Sequence, residues 1–148
     1  MNENKENVVN VFEGLKGSIT ASYVVSGNYS SRKIENRTSI EYPMELNVGV
    51  IDILSRTLQL IVIQSSAKQA YQARYIDEEA FYFELIPTFY ELVDLKENVN
   101  NFVKENDKKL SKVDEAYVKK AVQYLRIVAG CLKDFDVSKK AEELTTQD

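Results

Sequence analysis

Residues 43–74, PMELNVGVIDILSRTLQLIVIQSSAKQAYQAR, decide the fold, because two readings of them compete. Read as strands, Met44, Leu46, Val48 and Val50 alternate with Glu45, Asn47 and Gly49, and a second β-branched run at 58–63 follows a turn near Ser55-Arg56. Read as helix, Pro43 takes a first-turn position with Glu45 just after it. Both suit a helix start, where donors lack partners and the dipole favours acids. Leu46, Val50, Ile53, Leu54, Leu58, Ile61 and Ser65 then keep helical spacing, with Asp52, Arg56, Gln59, Ser66 and Gln69 on the other side. No Pro or turn cluster interrupts the run, and residues 65–75 read as helix either way. The helix is the preferred reading.

On the N-terminal side, Ile19-Thr20-Ala21-Ser22-Tyr23-Val24-Val25 is rich in β-branched and aromatic residues, which suit a pleated surface. Gly27-Asn28 offers a turn. Residues 30–42 are polar, with Ile34, Ile40 and Tyr42 the main apolar points. The pattern predicts one hairpin or two short strands. Residues 3–16 read as a short amphipathic helix through Val8, Val11, Phe12 and Leu15, ended by Gly14 and Gly17.

On the C-terminal side lies the most distinctive stretch, YIDEEAFYFELIPTFYELVDL at 75–95. It has no Lys or Arg, six acids, and six of the chain's fifteen aromatics. Asp77 suits an N-cap, followed by Glu78 and Glu79 where the dipole favours acids. Pro87 removes a helical donor, and Thr88-Phe89-Tyr90-Glu91 reads as a fresh capping box. Two helical pieces are therefore expected to meet at Ile86-Pro87-Thr88, with Leu92, Val99 and Val103 continuing the apolar face to Asn106-Asp107. Residues 111–135 give the clearest helix. Ser111 and Asp114 form a capping pair, and Val113, Tyr117, Ala121, Tyr124, Val128, Leu132 and Phe135 step by three or four. The polar tail 136–148 is expected to fray or stay disordered.

These elements predict an α+β, predominantly helical fold. A short N-terminal helix and a small antiparallel β element would pack on a bundle of three to four helices. One globular domain would span 1–135 of the 148 residues. Five Gly and two Pro are too few for a turn-dense β-sandwich.

The formal net charge is −4, and its excess lies entirely in 75–95, since the flanking regions each carry a net +1. Without a basic stripe, direct nucleic-acid binding is not expected. The single cysteine, Cys131, forms no disulfide within the chain. MNENKENVV lacks the basic start and apolar run of a secretory signal, and the longest aliphatic run, Leu60–Ile63, is far too short for a bilayer. A cytoplasmic location is expected, so the acceptor-like Asn28-Tyr29-Ser30 and Asn36-Arg37-Thr38 are chance matches.

Histidine is absent, which excludes Ser-His-Asp and Cys-His chemistry and most zinc sites. Asp77-Glu78-Glu79 lacks the ligand spacing of a calcium loop. Glu84, Glu91 and Asp94 lack the histidine partners of a di-iron site. The glycines form no phosphate-cradling loop, and Cys131 reads as a small hydrophobe. No catalytic residue, cofactor or metal is expected.

What remains is a surface. On a helical wheel Phe81, Leu85, Phe89, Leu92 and Val93 share a core face with Tyr82 at its edge. Phe83 and Tyr90 fall opposite, among Glu79, Glu84, Glu91 and Asp94. Outward aromatics ringed by polar groups are what binding hot spots favour, so these six are the candidate partner-binding residues. The expected function is a non-catalytic protein-interaction or assembly module, acting on a protein partner or by self-association. The Asn-, Lys-, Glu- and Ile-heavy composition is associated with AT-rich microbial or phage sources, which suits an accessory protein inhibiting a host factor. One alternative is a small-molecule binder with an aromatic-lined pocket between helices, for which Tyr71 and Tyr75 are candidates. Another is an acidic mimic of nucleic acid.

Overall fold

Val48–Gln72 forms one uninterrupted helix, α1, so the helical reading of the deciding stretch is the correct one. The structure, a computed structural model, describes residues 14–28 and 30–146. The helix expected at 3–16 lies almost wholly outside them. Among the described residues, two strands precede α1, β1 (Lys16–Ser26) and β2 (Lys33–Pro43), and three helices follow it, α2 (Glu78–Glu105), α3 (Lys112–Asp134) and α4 (Val137–Thr146). The fold is α+β and predominantly helical.

The start of α1 is set by Asn47, not by Pro43, which instead ends β2. The Asn47 side chain accepts from Gly49 N–H at 2.7 Å. The backbone N–H of Asn47 donates in turn to Asp114 at 2.9 Å. Asp114 also accepts from Ser111 N–H at 3.1 Å, completing the expected capping box of α3. One buried carboxylate thus joins the starts of two helices.

Helix α1 is the middle layer. The hairpin packs on one side of it, α2 and α3 on another, and α4 closes against α2 and α3. This explains why its buried residues do not form a single stripe. Thr57, Gln64 and Ser66 are buried along with Val50, Leu54, Leu58 and Val62. Ser66, placed by spacing on the polar side, is fully buried beneath the hairpin. It donates to the Tyr23 carbonyl at 3.1 Å and accepts from Asn36 at 3.0 Å. By length and mean hydropathy α1 is apolar enough to cross a membrane, although its longest aliphatic run is short. The same composition serves a helix covered by neighbours on both sides. Gly49 meets the Phe102 ring, where any β-carbon would collide.

Strands β1 and β2 pair antiparallel in unbroken register from Lys16↔Pro43 to Ser26↔Lys33. Gly27 N–H donates to Arg32 at one end and Met44 N–H to Leu15 at the other. Hydrogen-bonded pairs alternate in such a ladder, so odd-numbered residues of β1 bond to β2 and even-numbered ones send N–H and C=O outward. Ala21, Val25 and Ile40 face α1 and are buried, while the opposite sheet face is solvated.

Helix α4 corrects the expected tail. Asp136 takes φ 50°, ending α3 and turning the chain, and Val137 and Ala141 then bury one helical turn apart. In α3 the buried stripe runs through Asp114, Val118, Ala121, Leu125, Val128 and Leu132. Val113, assigned to the core by spacing, is exposed instead.

Candidate interaction surface on helix α2

Helix α2 shows two faces of opposite character. Phe81, Leu85, Thr88, Leu92, Leu95 and Val99 are buried, whereas Val93, expected among them, is exposed. Phe81 stacks on Tyr71 with ring centroids 4.4 Å apart and meets Phe135 edge-on at 4.8 Å. Tyr71 therefore belongs to the core contacts, and Arg32 lies 5.8 Å over the Tyr75 ring. On the outward face Phe83 is 80% exposed and Tyr90 53% exposed. Pro87 is also exposed and falls between them at helical spacing.

The expected break at Ile86-Pro87-Thr88 does not occur, because α2 runs through Pro87 as one helix. Proline leaves a carbonyl one turn back without its helical donor. That carbonyl belongs to Phe83, a residue on the exposed face of the helix. The Thr88 hydroxyl, buried on the other face, donates to the Glu84 carbonyl at 3.2 Å and ties the turn from inside. The Thr88–Glu91 capping box does not form.

The four acids assigned to this face divide. Glu79 is exposed and makes no ion pair among the described residues. Glu91 and Asp94 are exposed and share Arg56 of α1, at 3.7 and 3.1 Å. Exposed pairs of this kind contribute about 0–1 kcal/mol. Glu84 is half-buried and accepts from the Tyr23 hydroxyl at 2.5 Å. Burial, then the hydrogen bond to Glu84, pushes the Tyr23 phenol up to about 12. Glu84 thus anchors β1 to α2 rather than presenting a free charge.

Two hollows flank Phe83. A cleft of ≈ 640 Å³ lies between α2 and α4, lined by Tyr82, Phe83, Ile86, Pro87 and Leu144, with Glu78, Glu79 and Lys140 around it. A smaller crevice of ≈ 250 Å³ lies between β1, α1 and α2, lined by Tyr23, Leu60, Ile63, Phe83 and Pro87. Neither hollow is legible from local sequence. Leu144 and Lys140 sit in the region read as tail, and nothing local in β1 signals its approach to α2. Tyr82, at the cleft, donates to the Phe135 carbonyl at 2.8 Å, and burial raises its phenol above the usual range.

Cys131 is buried, and burial pushes its thiol up, away from the reactive thiolate. Among the described residues no three metal-ligating side chains gather. Comparison with family models, with characterised proteins and with solved structures finds no match to this chain.

Proposed function

We propose that this chain is a non-catalytic cytoplasmic protein-interaction module whose binding surface is the outward face of α2. The observation that carries the reading is the 80% exposure of Phe83 on a helix held rigid from its other face. An aromatic fixed on a packed helix loses little entropy when a partner covers it. Tyr90 and Pro87 extend the apolar stripe, and Glu79, Glu91 and Asp94 supply a polar rim. The absence of histidine removes Ser-His-Asp and Cys-His chemistry. The test is recovery of a stoichiometric complex by wild type but not by Phe83→Ala and Tyr90→Ala variants of unchanged stability. Equal recovery by both variants would refute the reading.

The cleft between α2 and α4 favours a second reading, in which a small molecule binds against Tyr82, Phe83 and Leu144. Its volume falls within the range of ligand sites. Thermal-shift screening separates the two: strong stabilisation by a metabolite, with no protein complex recovered, would displace the first reading by the second.

A further inference from the structure

The hairpin has two edges, and they are not alike. Along the outer edge of β2 the Glu41 carbonyl accepts from the Tyr117 hydroxyl at 3.2 Å, and Pro43 has no N–H to offer. Lys33, Glu35, Arg37 and Glu41 also line that strand, and charges and proline are the usual guards of a sheet edge. The outer edge of β1 has none of these guards. From Gly17 to Ser26 it carries no charge and no proline. Ser18, Thr20, Ser22 and Val24 send N–H and C=O outward, and among the described residues these groups meet no partner. All four residues are exposed, and no described residue covers this edge.

The ≈ 250 Å³ crevice adjoins this strand through Tyr23, and its far wall is Phe83 and Pro87 of α2. A strand laid along β1 would direct alternate side chains toward the α1 side of the sheet, where the crevice lies. The crevice is apolar at Leu60, Ile63, Phe83 and Pro87 and large enough for one aliphatic or aromatic side chain. Its lining also holds two acids and no base: Glu84 accepts from the Tyr23 hydroxyl, and Glu91 shares Arg56 with Asp94, so acids outnumber bases there.

We propose that β1 is a strand-addition site for an extended partner segment that alternates apolar and basic residues, seating one apolar side chain in the crevice beside Phe83. This deepens the surface reading above, on which it rests. Main-chain hydrogen bonds to β1 would supply affinity, and the crevice and its acids would supply selectivity.

The probe is a synthetic peptide of alternating Leu and Lys, followed by amide hydrogen exchange of the full chain. In the free protein the amides of Ser18, Thr20, Ser22 and Val24 should exchange much faster than those of Ile19, Ala21 and Tyr23. Peptide should protect the four outward amides. Ser22→Pro loses no ladder bond to β2, yet it should weaken the peptide about tenfold or more, because one donor is gone and the edge is obstructed. Phe83→Ala should weaken it while leaving the hairpin protected, and this arm holds even if the proline variant fails to fold. Three results would overturn the proposal: outward amides already protected in the free chain, equal binding of an alternating Leu and Glu peptide, or a free chain that is dimeric through β1. Recovery of a partner through Phe83 with β1 amides unchanged would keep the α2 surface and sink strand addition.

Discussion

Two neighbouring aromatics on α2 set the scale of a single residue. Phe81 is fully buried in the Tyr71–Phe135 cluster, and Phe83 is 80% exposed. Phe81→Ala should destabilise by about 3–5 kcal/mol, as large core truncations do. Phe83→Ala should change stability by about 0.5 kcal/mol or less. Denaturant unfolding of the two variants measures both. Tyr23 adds a pH signature. Its phenol loses its proton near pH 10 in an unfolded chain, and in the fold it holds it to about 12. Folding therefore favours the protonated form. The contribution is complete below the unfolded value and is lost as pH rises from 10 toward 12. Tyr23→Phe should flatten that part of the decline relative to wild type in unfolding free energies taken across alkaline pH. The outward placement of Phe83 and Tyr90 was readable from spacing alone. The engagement of Glu84 was not, because its partner lies 61 residues away on a strand.

At the scale of elements, helix ends and interruptions carry the lesson. Asp114 accepts from the starts of both α1 and α3, so Asp114→Ala should cost about 2–4 kcal/mol, more than an ordinary cap. Pro87 sits inside α2 at an exposed turn, so Pro87→Ala should raise stability by about 1–3 kcal/mol by restoring the missing bond. Thermal or denaturant unfolding reads both signs. The capping box at Ser111 was legible because both partners lie within one turn. The continuity of α2 was not, since a proline signals a break unless it falls on an exposed face of the helix. Helix α4 was hidden for a related reason. The turn before it uses Asp136 at positive φ in place of glycine, and among its described residues only Val137 and Ala141 are buried. Arg74 and Lys108 also sit at positive φ near helix ends, so a chain poor in glycine hides its helix stops.

For the whole molecule, α1 organises everything else: the hairpin on one side, α2 and α3 on the other, α4 closing them. Its reading as helix follows from spacing. Its burial on two sides follows only from the packing, which is why Ser66 and Thr57 are core and why its apolar content reaches membrane-like levels. That arrangement leaves β1 and the outward face of α2 on either side of one crevice, the region we propose to be the binding surface. The most direct test is the solution mass, by light scattering, of complexes recovered with wild type and with Phe83→Ala. The account predicts a defined complex heavier than the free chain for wild type, and only the free chain for a stably folded Phe83→Ala. The same complex from both proteins would contradict it.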